Sequence, residues 1–225
     1  MKVLSSLAIK ACYLELAPQF EKTGGHKLVT EWVGMADIRK RMIAGEAADV
    51  IIASAALIDE LVQAGKIARG SRHDLVKSGV GVAVRKGAPR PDIGSVEAIQ
   101  RAMRAAKSVV YSSGPSGVYL SGLFQRWGLA DELKGKLTQT PPGVLVGELV
   151  ARGEMELAFQ QVPELRQVAG IDYIGPLPPE IQLVTVFSGG IAAMAKEPEP
   201  GKALLKFLSS PAAAPVMKKQ GFEVA

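Results

Sequence analysis

Short apolar runs alternate along the chain with segments whose apolar residues recur every three or four positions. The first pattern is that of buried strands and the second that of amphipathic helices. Val3-Leu4 reads as a strand ending at Ser5-Ser6, followed by a helix over 8–22 that Thr23-Gly24-Gly25 stops. A second strand over 27–32 leads to a helix over 37–44 that ends at Gly45. A buried strand over 49–53 leads to a helix over 55–64 that ends at Gly65. Three such strand–helix units predict a compact half built on a parallel sheet.

A second set follows: a strand over 80–85, a helix over 95–106 capped by Ser95 with Glu97 in its first turn, and a strand over 108–111. Helices over 117–127 and 143–152, a strand over 157–160, a β-like stretch over 182–187 and helices over 201–208 and 213–219 complete the chain. The expected fold class is α/β, and the two halves share a plan of strand, Ser/Gly turn and helix.

Composition narrows the chemistry. Of 225 residues 48% are hydrophobic and 22% charged, which is globular rather than disordered usage. One cysteine, Cys12, excludes an internal disulfide and a thiolate zinc cage, and reads as a small buried hydrophobe on a helix. His26 and His73 stand far apart, so no metal site and no cofactor is expected. Asparagine is absent, which excludes N-glycosylation. The net charge of +5 favours anionic partners without naming one. The basic residues form no stripe and carry no interleaved aromatics, so nucleic acid is not an expected partner. No apolar run approaches the ~20 residues of a membrane span. The opening Met1-Lys2-Val3-Leu4-Ser5-Ser6 is too short to be a signal peptide before structure begins. The expected location is therefore periplasmic if a signal peptide was removed, and otherwise cytoplasmic. A monomer is expected.

The turns between strands and helices carry the candidate chemistry. Ser5-Ser6 precedes the first helix, and Ser54 follows the third strand. The run Ser112-Ser113-Gly114-Pro115-Ser116-Gly117 follows Tyr111, and Pro142-Gly143 precedes the helix expected from Val144. A helix N-terminus presents unpaired N–H groups and about half a positive charge, and so receives anions. In open α/β sheets these turns lie at the carboxyl ends of the strands, where ligands bind. Each serine alone reads as an N-cap. Two consecutive serines, and three within six residues, exceed what capping needs. The run lacks the Gly-Lys-Ser/Thr ending of a phosphate loop, and no Gly-x-Ser-x-Gly elbow is present.

Lys2-Val3-Leu4-Ser5-Ser6-Leu7, Phe20-Glu21-Lys22-Thr23-Gly24, Gly45-Glu46-Ala47-Ala48-Asp49-Val50, Ile52-Ala53-Ser54-Ala55 and Gly153-Glu154-Met155-Glu156-Leu157-Ala158-Phe159 together resemble the molybdate-binding type 2 periplasmic solute-binding proteins of ABC importers. The resemblance covers essentially the whole chain. It implies two α/β lobes with a ligand cleft between them, lobe I being 1–81 with 188–225 and lobe II 82–187, crossed near Gly81–Val84 and Thr185–Ser188. It implies an oxyanion held by hydroxyls and backbone N–H groups, with Ser6 as the first serine contact and Ser54 and Gly143 beside donating turns. It also implies an importer permease as partner.

Two departures shift the expected ligand. The family's second serine loop is here Val33-Gly34-Met35-Ala36-Asp37, and its cleft tyrosine falls at Gln161. Gln160, Gln161, Tyr111 and the serines of the 112–117 run suit a polycarboxylate better than molybdate, and Arg39 or Arg72 could give a bidentate carboxylate contact. The exposed-surface reading of each arginine stands beside that, as it does for His73. Aconitate isomerase is similar to this family, so an isomerase moving an allylic proton on a tricarboxylate is the alternative, with Tyr111, His73 or a cleft carboxylate as candidate base.

Overall fold

The computed structural model describes residues 1–225. The chain forms two compact units, one of Met1–Ser78 with Thr185–Ala225 and the other of Gly79–Val184. The first unit begins with β1 (Lys2–Ser6), α1 (Lys10–Gly24), β2 (Val29–Val33), α2 (Met35–Ile43), β3 (Val50–Ser54), α3 (Ala55–Gln63) and β4 (His73–Ser78). The second holds β5 (Val80–Arg85), α4 (Val96–Ala105), β6 (Val109–Tyr111), α5 (Pro115–Arg126), α6 (Leu129–Glu132), β7 (Leu137–Gln139), α7 (Val146–Ala151), β8 (Leu157–Gln161), α8 (Val162–Arg166) and β9 (Ile171–Pro176). The chain then returns to the first unit with β10 (Thr185–Ile191), α9 (Pro198–Leu208), α10 (Ala214–Lys219) and β11 (Glu223–Val224).

The fold is α/β with two mixed sheets. The first unit's sheet has the order β11-β4-β10-β3-β1-β2, and the second's has β7-β6-β8-β5-β9. In each, three neighbouring strands run parallel: β2-β1-β3, and β7-β6-β8. Next to them lies one antiparallel strand, β10 against β3 in the first unit and β5 against β8 in the second.

Alternation along the strands divides each unit into two cores. Val3, Val50 and Ile52 pack with Cys12, Tyr13 and Leu16 of α1 and with Leu204, Leu205 and Leu208 of α9. Their neighbours Leu4, Ile51 and Ala53 face the other way, toward Ile38 and Met42 of α2 and Leu57, Ile58 and Leu61 of α3. β3 is therefore buried along its whole length, which is why it reads as an unbroken apolar run. In the second unit Val80, Val82, Val109, Leu157 and Phe159 meet α4 and α5. Ala83, Val110 and Ala158 meet Val146, Val150 and Leu165 of α7 and α8.

Several elements depart from expectation. The segment from His73 is strand β4, and β7, β9, β11 and the short helices α6 and α8 were likewise not anticipated. The helix expected over 143–152 begins only at Val146. Gly143 has φ +84° and belongs to the preceding turn, a backbone conformation that no helix residue shares. The β-like stretch starts at Thr185 and runs to Ile191.

Candidate functional site

In the first unit the chain leaves β1 for β2 on one side and comes back, through α2, to β3 on the other. The carboxyl ends of β1 and β3 thus flank a topological switch point, the place where open α/β sheets take ligands. The register sets Ser5 opposite Ile52 and Ser6 opposite Val33, so Ser5, Ser6 and Ser54 share this edge. Ser5 is fully buried, and its hydroxyl donates to the Ser6 carbonyl at 3.2 Å. The Ser6 hydroxyl accepts from the Ala8 N–H at 3.2 Å. That of Ser54 accepts from the Leu57 N–H at 3.4 Å at the start of α3. Both serines act as caps, and each keeps its own O–H for a further acceptor. Gly34, which precedes α2, offers no side-chain cap.

The charged candidates of this unit are engaged elsewhere. Arg39 is exposed and pairs with Glu60. Arg72 bridges Asp59 and Asp74, which hold its guanidinium charged above its ordinary range. His73 opens β4, at the opposite end of that strand from Ser78, with Nε2 2.6 Å from the Ser209 hydroxyl. Neither arginine is gathered with the serines. Lys10, by contrast, is half-buried at the first position of α1, on the serine edge. A cation in the first turn of a helix opposes the helix dipole, and α1 has no acidic residue there to offset it.

The second unit repeats the plan. β6 connects through α5 to β7 on one side, and β8 lies on the other, so the ends of β6 and β8 flank the switch point. Tyr111 stands opposite both Gln139 and Phe159. Beyond it lie Ser112 and Ser116, both buried, with their hydroxyls 3.1 Å apart, and half-buried Ser113. Gln139 donates through Nε2 to the Ser112 carbonyl at 3.3 Å. Gly117 is dictated by contact: a Cβ there would fall 1.5 Å from the Ser112 carbonyl oxygen, so only glycine lets α5 press this closely on the loop. α5 starts with Pro115 at its first turn and Gly114 before it without a side-chain cap. Its first-turn amides therefore have no acceptor within the helix or from its cap residue. Tyr111 packs edge-on against Phe124 at 5.5 Å, half in the core and half on the edge.

Gln160 and Gln161 end β8, both buried. Gln160 accepts through Oε1 from the Val146 N–H at 3.0 Å, joining β8 to the start of α7. Its side chain also hydrogen-bonds Glu164, in the first turn of α8. Burial pushes the Glu164 carboxyl up to about 7, and the Gln160 hydrogen bond only partly offsets this. Gly143 is not itself a helix-start donor, since the amide that begins α7 is already held by Gln160.

Two residues on this edge escape a reading of the sequence. Thr140 follows β7, donates its N–H to the Tyr111 carbonyl at 3.0 Å, and is buried with its Oγ1 lacking any hydrogen-bond partner. Glu164 lies behind Pro163, and the only local signal for it is a proline and an acid in a helix's first turn. No group of three or more His, Cys, Asp or Glu side chains could hold a metal ion.

A family model described as bacterial extracellular solute-binding protein matches residues 1–223. The chain belongs to that family. This solute-binding protein is 40% identical over 229 residues to an aconitate isomerase of a Pseudomonas species, across 99% of this chain and 87% of the relative. Its fold matches the periplasmic molybdate-binding protein of Azotobacter vinelandii with a TM-score of 0.83, at 18% identity, covering 100% of this chain and 99% of that one. It also matches a sulfate-binding protein of Mycobacterium tuberculosis with a TM-score of 0.80, at 17% identity, covering 99% and 85%. At such identities the two structures show a shared fold. No helix of this solute-binding protein is long and apolar enough to cross a membrane.

Proposed function

We infer that the protein binds a tricarboxylate of the aconitate type and interconverts its trans and cis isomers. The observation that carries this reading is the 40% identity to an aconitate isomerase, sustained over 99% of the chain. The chemistry of the two strand edges agrees with it. Each edge taken by itself offers donors for carboxylate oxygens: Ser6 and Ser54 on that of the first unit, and Ser112, Ser113, Ser116, Thr140 and the first-turn amides of α5 on that of the second. Lys10 supplies the cation, and a bound carboxylate would relieve its conflict with the α1 dipole. Isomerisation removes a proton beside a carboxylate, so charge spreads along the carbon chain as the bond breaks. Preorganised N–H and O–H donors aimed at that charge lower the barrier.

The test is to incubate the purified protein with trans-aconitate and follow the cis form by chromatography, with a thermal-shift series over citrate, both aconitates, molybdate, tungstate, sulfate and phosphate. Turnover, with the largest stabilisation by the tricarboxylates, is the expected result. No turnover and no tricarboxylate shift would overturn it. Binding without turnover would leave the family's own role, delivery of a solute to an importer permease from a periplasmic location, which the family match favours.

A further inference from the structure

Most buried titratable groups are explained by packing alone. Cys12 is pushed up to about 12 by burial in the α1 core and so is no nucleophile. Tyr13, also raised to about 12 by burial, accepts from the Thr30 hydroxyl at 2.9 Å. Asp49 accepts backbone N–H groups from Lys2, Lys196 and Glu197. Glu164 is different: its one polar side-chain partner is Gln160.

We propose that Glu164 is the catalytic residue that takes the allylic proton from one carbon of the bound tricarboxylate and returns it to another. This rests on the isomerase reading above. Three geometric facts carry it. First, Glu164 stands in the first turn of α8, directly after the carboxyl end of β8, the edge that also holds Ser112, Ser116 and Thr140. Second, the residue is only half-buried, so its carboxyl is desolvated yet reachable. Third, Gln160 is oriented from behind. Its Oε1 is committed to the Val146 N–H, so the group it turns to Glu164 is its NH2 donor.

The charged groups on the elements packed around α8 do not neutralise it. Arg166, on α8 itself, lies over the Tyr173 ring of β9 at 5.2 Å. Asp172 of β9 accepts from the Gly87 N–H and pairs with Arg90. Glu148 of α7 and Arg85 of β5 are exposed. Without a counter-charge, burial alone sets the carboxyl near neutrality, where a group exchanges protons most effectively.

The step balances within the substrate and this one side chain. The Glu164 carboxylate removes a proton from the methylene carbon, which is both allylic and next to a carboxylate. The C–H electron pair spreads over the three-carbon unit and its carboxylates, facing donors such as those at the start of α5. Glu164, now a carboxylic acid, gives the proton to the far carbon of that unit, and the double bond moves by one position. Nothing is oxidised or reduced, and no co-reactant is consumed.

The experiment compares wild type, Glu164→Gln and Glu164→Asp with trans-aconitate in deuterium oxide. Proton NMR follows both isomer formation and deuterium entry at the methylene, and calorimetry with citrate reports binding. The expected result is a ~100-fold or greater loss of both rates in Glu164→Gln, with citrate affinity kept within a few-fold. Glu164→Asp should recover part of the rate, with the acid limb of its pH profile displaced. Glu164→Gln turning over like wild type would overturn the proposal and leave the isomerase reading standing. A wild type that neither isomerises nor exchanges would overturn the isomerase reading, and the proton carrier with it.

Discussion

Gly117 and Asp49 show how much single side chains decide at the two ends of these sheets. At Gly117 the missing Cβ lets the first turn of α5 close on the Ser112 carbonyl. Gly117→Ala must push that loop away from the helix or bend the helix away from the loop. We expect a loss of more than ~2 kcal/mol of stability, together with weakened anion binding, read by urea unfolding and by thermal shift with citrate. Asp49 does the opposite work at the amino end of β1. Burial alone would raise its pKa, yet the backbone N–H groups of Lys2, Glu197 and Lys196 outweigh that and hold it below the usual carboxylate range. One carboxylate thereby ties the first strand to the segment that leads into α9.

At the level of elements, α4 is the clearest case of local sequence dictating local structure. Ser95 caps it through a hydrogen bond from the Ala98 N–H at 3.1 Å, and its apolar positions 98, 99, 102 and 103 are all buried. Ser95→Ala should cost about 1 kcal/mol, measurable as a lowered urea midpoint with an unchanged slope. The same local signals made β3, β5 and the first four helices legible in the sequence. β4 and β9 were not, because His73, Asp74 and Lys77, and Asp172 and Gly175, interrupt the apolar alternation that marks a strand. Those polar positions are satisfied only by tertiary partners: Asp74 accepts from the Ser188 hydroxyl, 114 residues away. The serine turns could be read because capping is local. Arg39 and Arg72 could not be placed, since their acidic partners lie on other elements. Thr140 and Glu164 were hidden for a related reason, as each follows a short strand or opens a short helix whose existence depends on the sheet.

For the whole molecule, two carboxylates with opposite shifts shape the pH dependence of stability. Glu46 is held at about 2, first by Arg41 and then by Lys2. A group so depressed contributes stability above its ordinary value and loses it as pH falls toward 2. Glu164, raised from near 4.5 to about 7, binds its proton more tightly in the folded state. Its contribution is complete below 4.5 and is lost as pH rises through 7. Melting temperatures across pH should therefore show Glu46→Gln flattening the acid limb, modestly and less so in salt because that network is near the surface. Glu164→Gln should flatten the limb between mildly acidic and neutral pH. The return of the chain at Thr185 has a different consequence. β10 lies between β3 and β4, so the sheet begun by β1, β2 and β3 is closed only by a strand made after the whole of Gly79–Val184. Until then the apolar edge of β3 is an open template for pairing with other chains. Gly79–Val184, which is continuous, can fold while that edge still waits. During synthesis β3, though made before the second unit, is therefore the strand that waits longest for its partner.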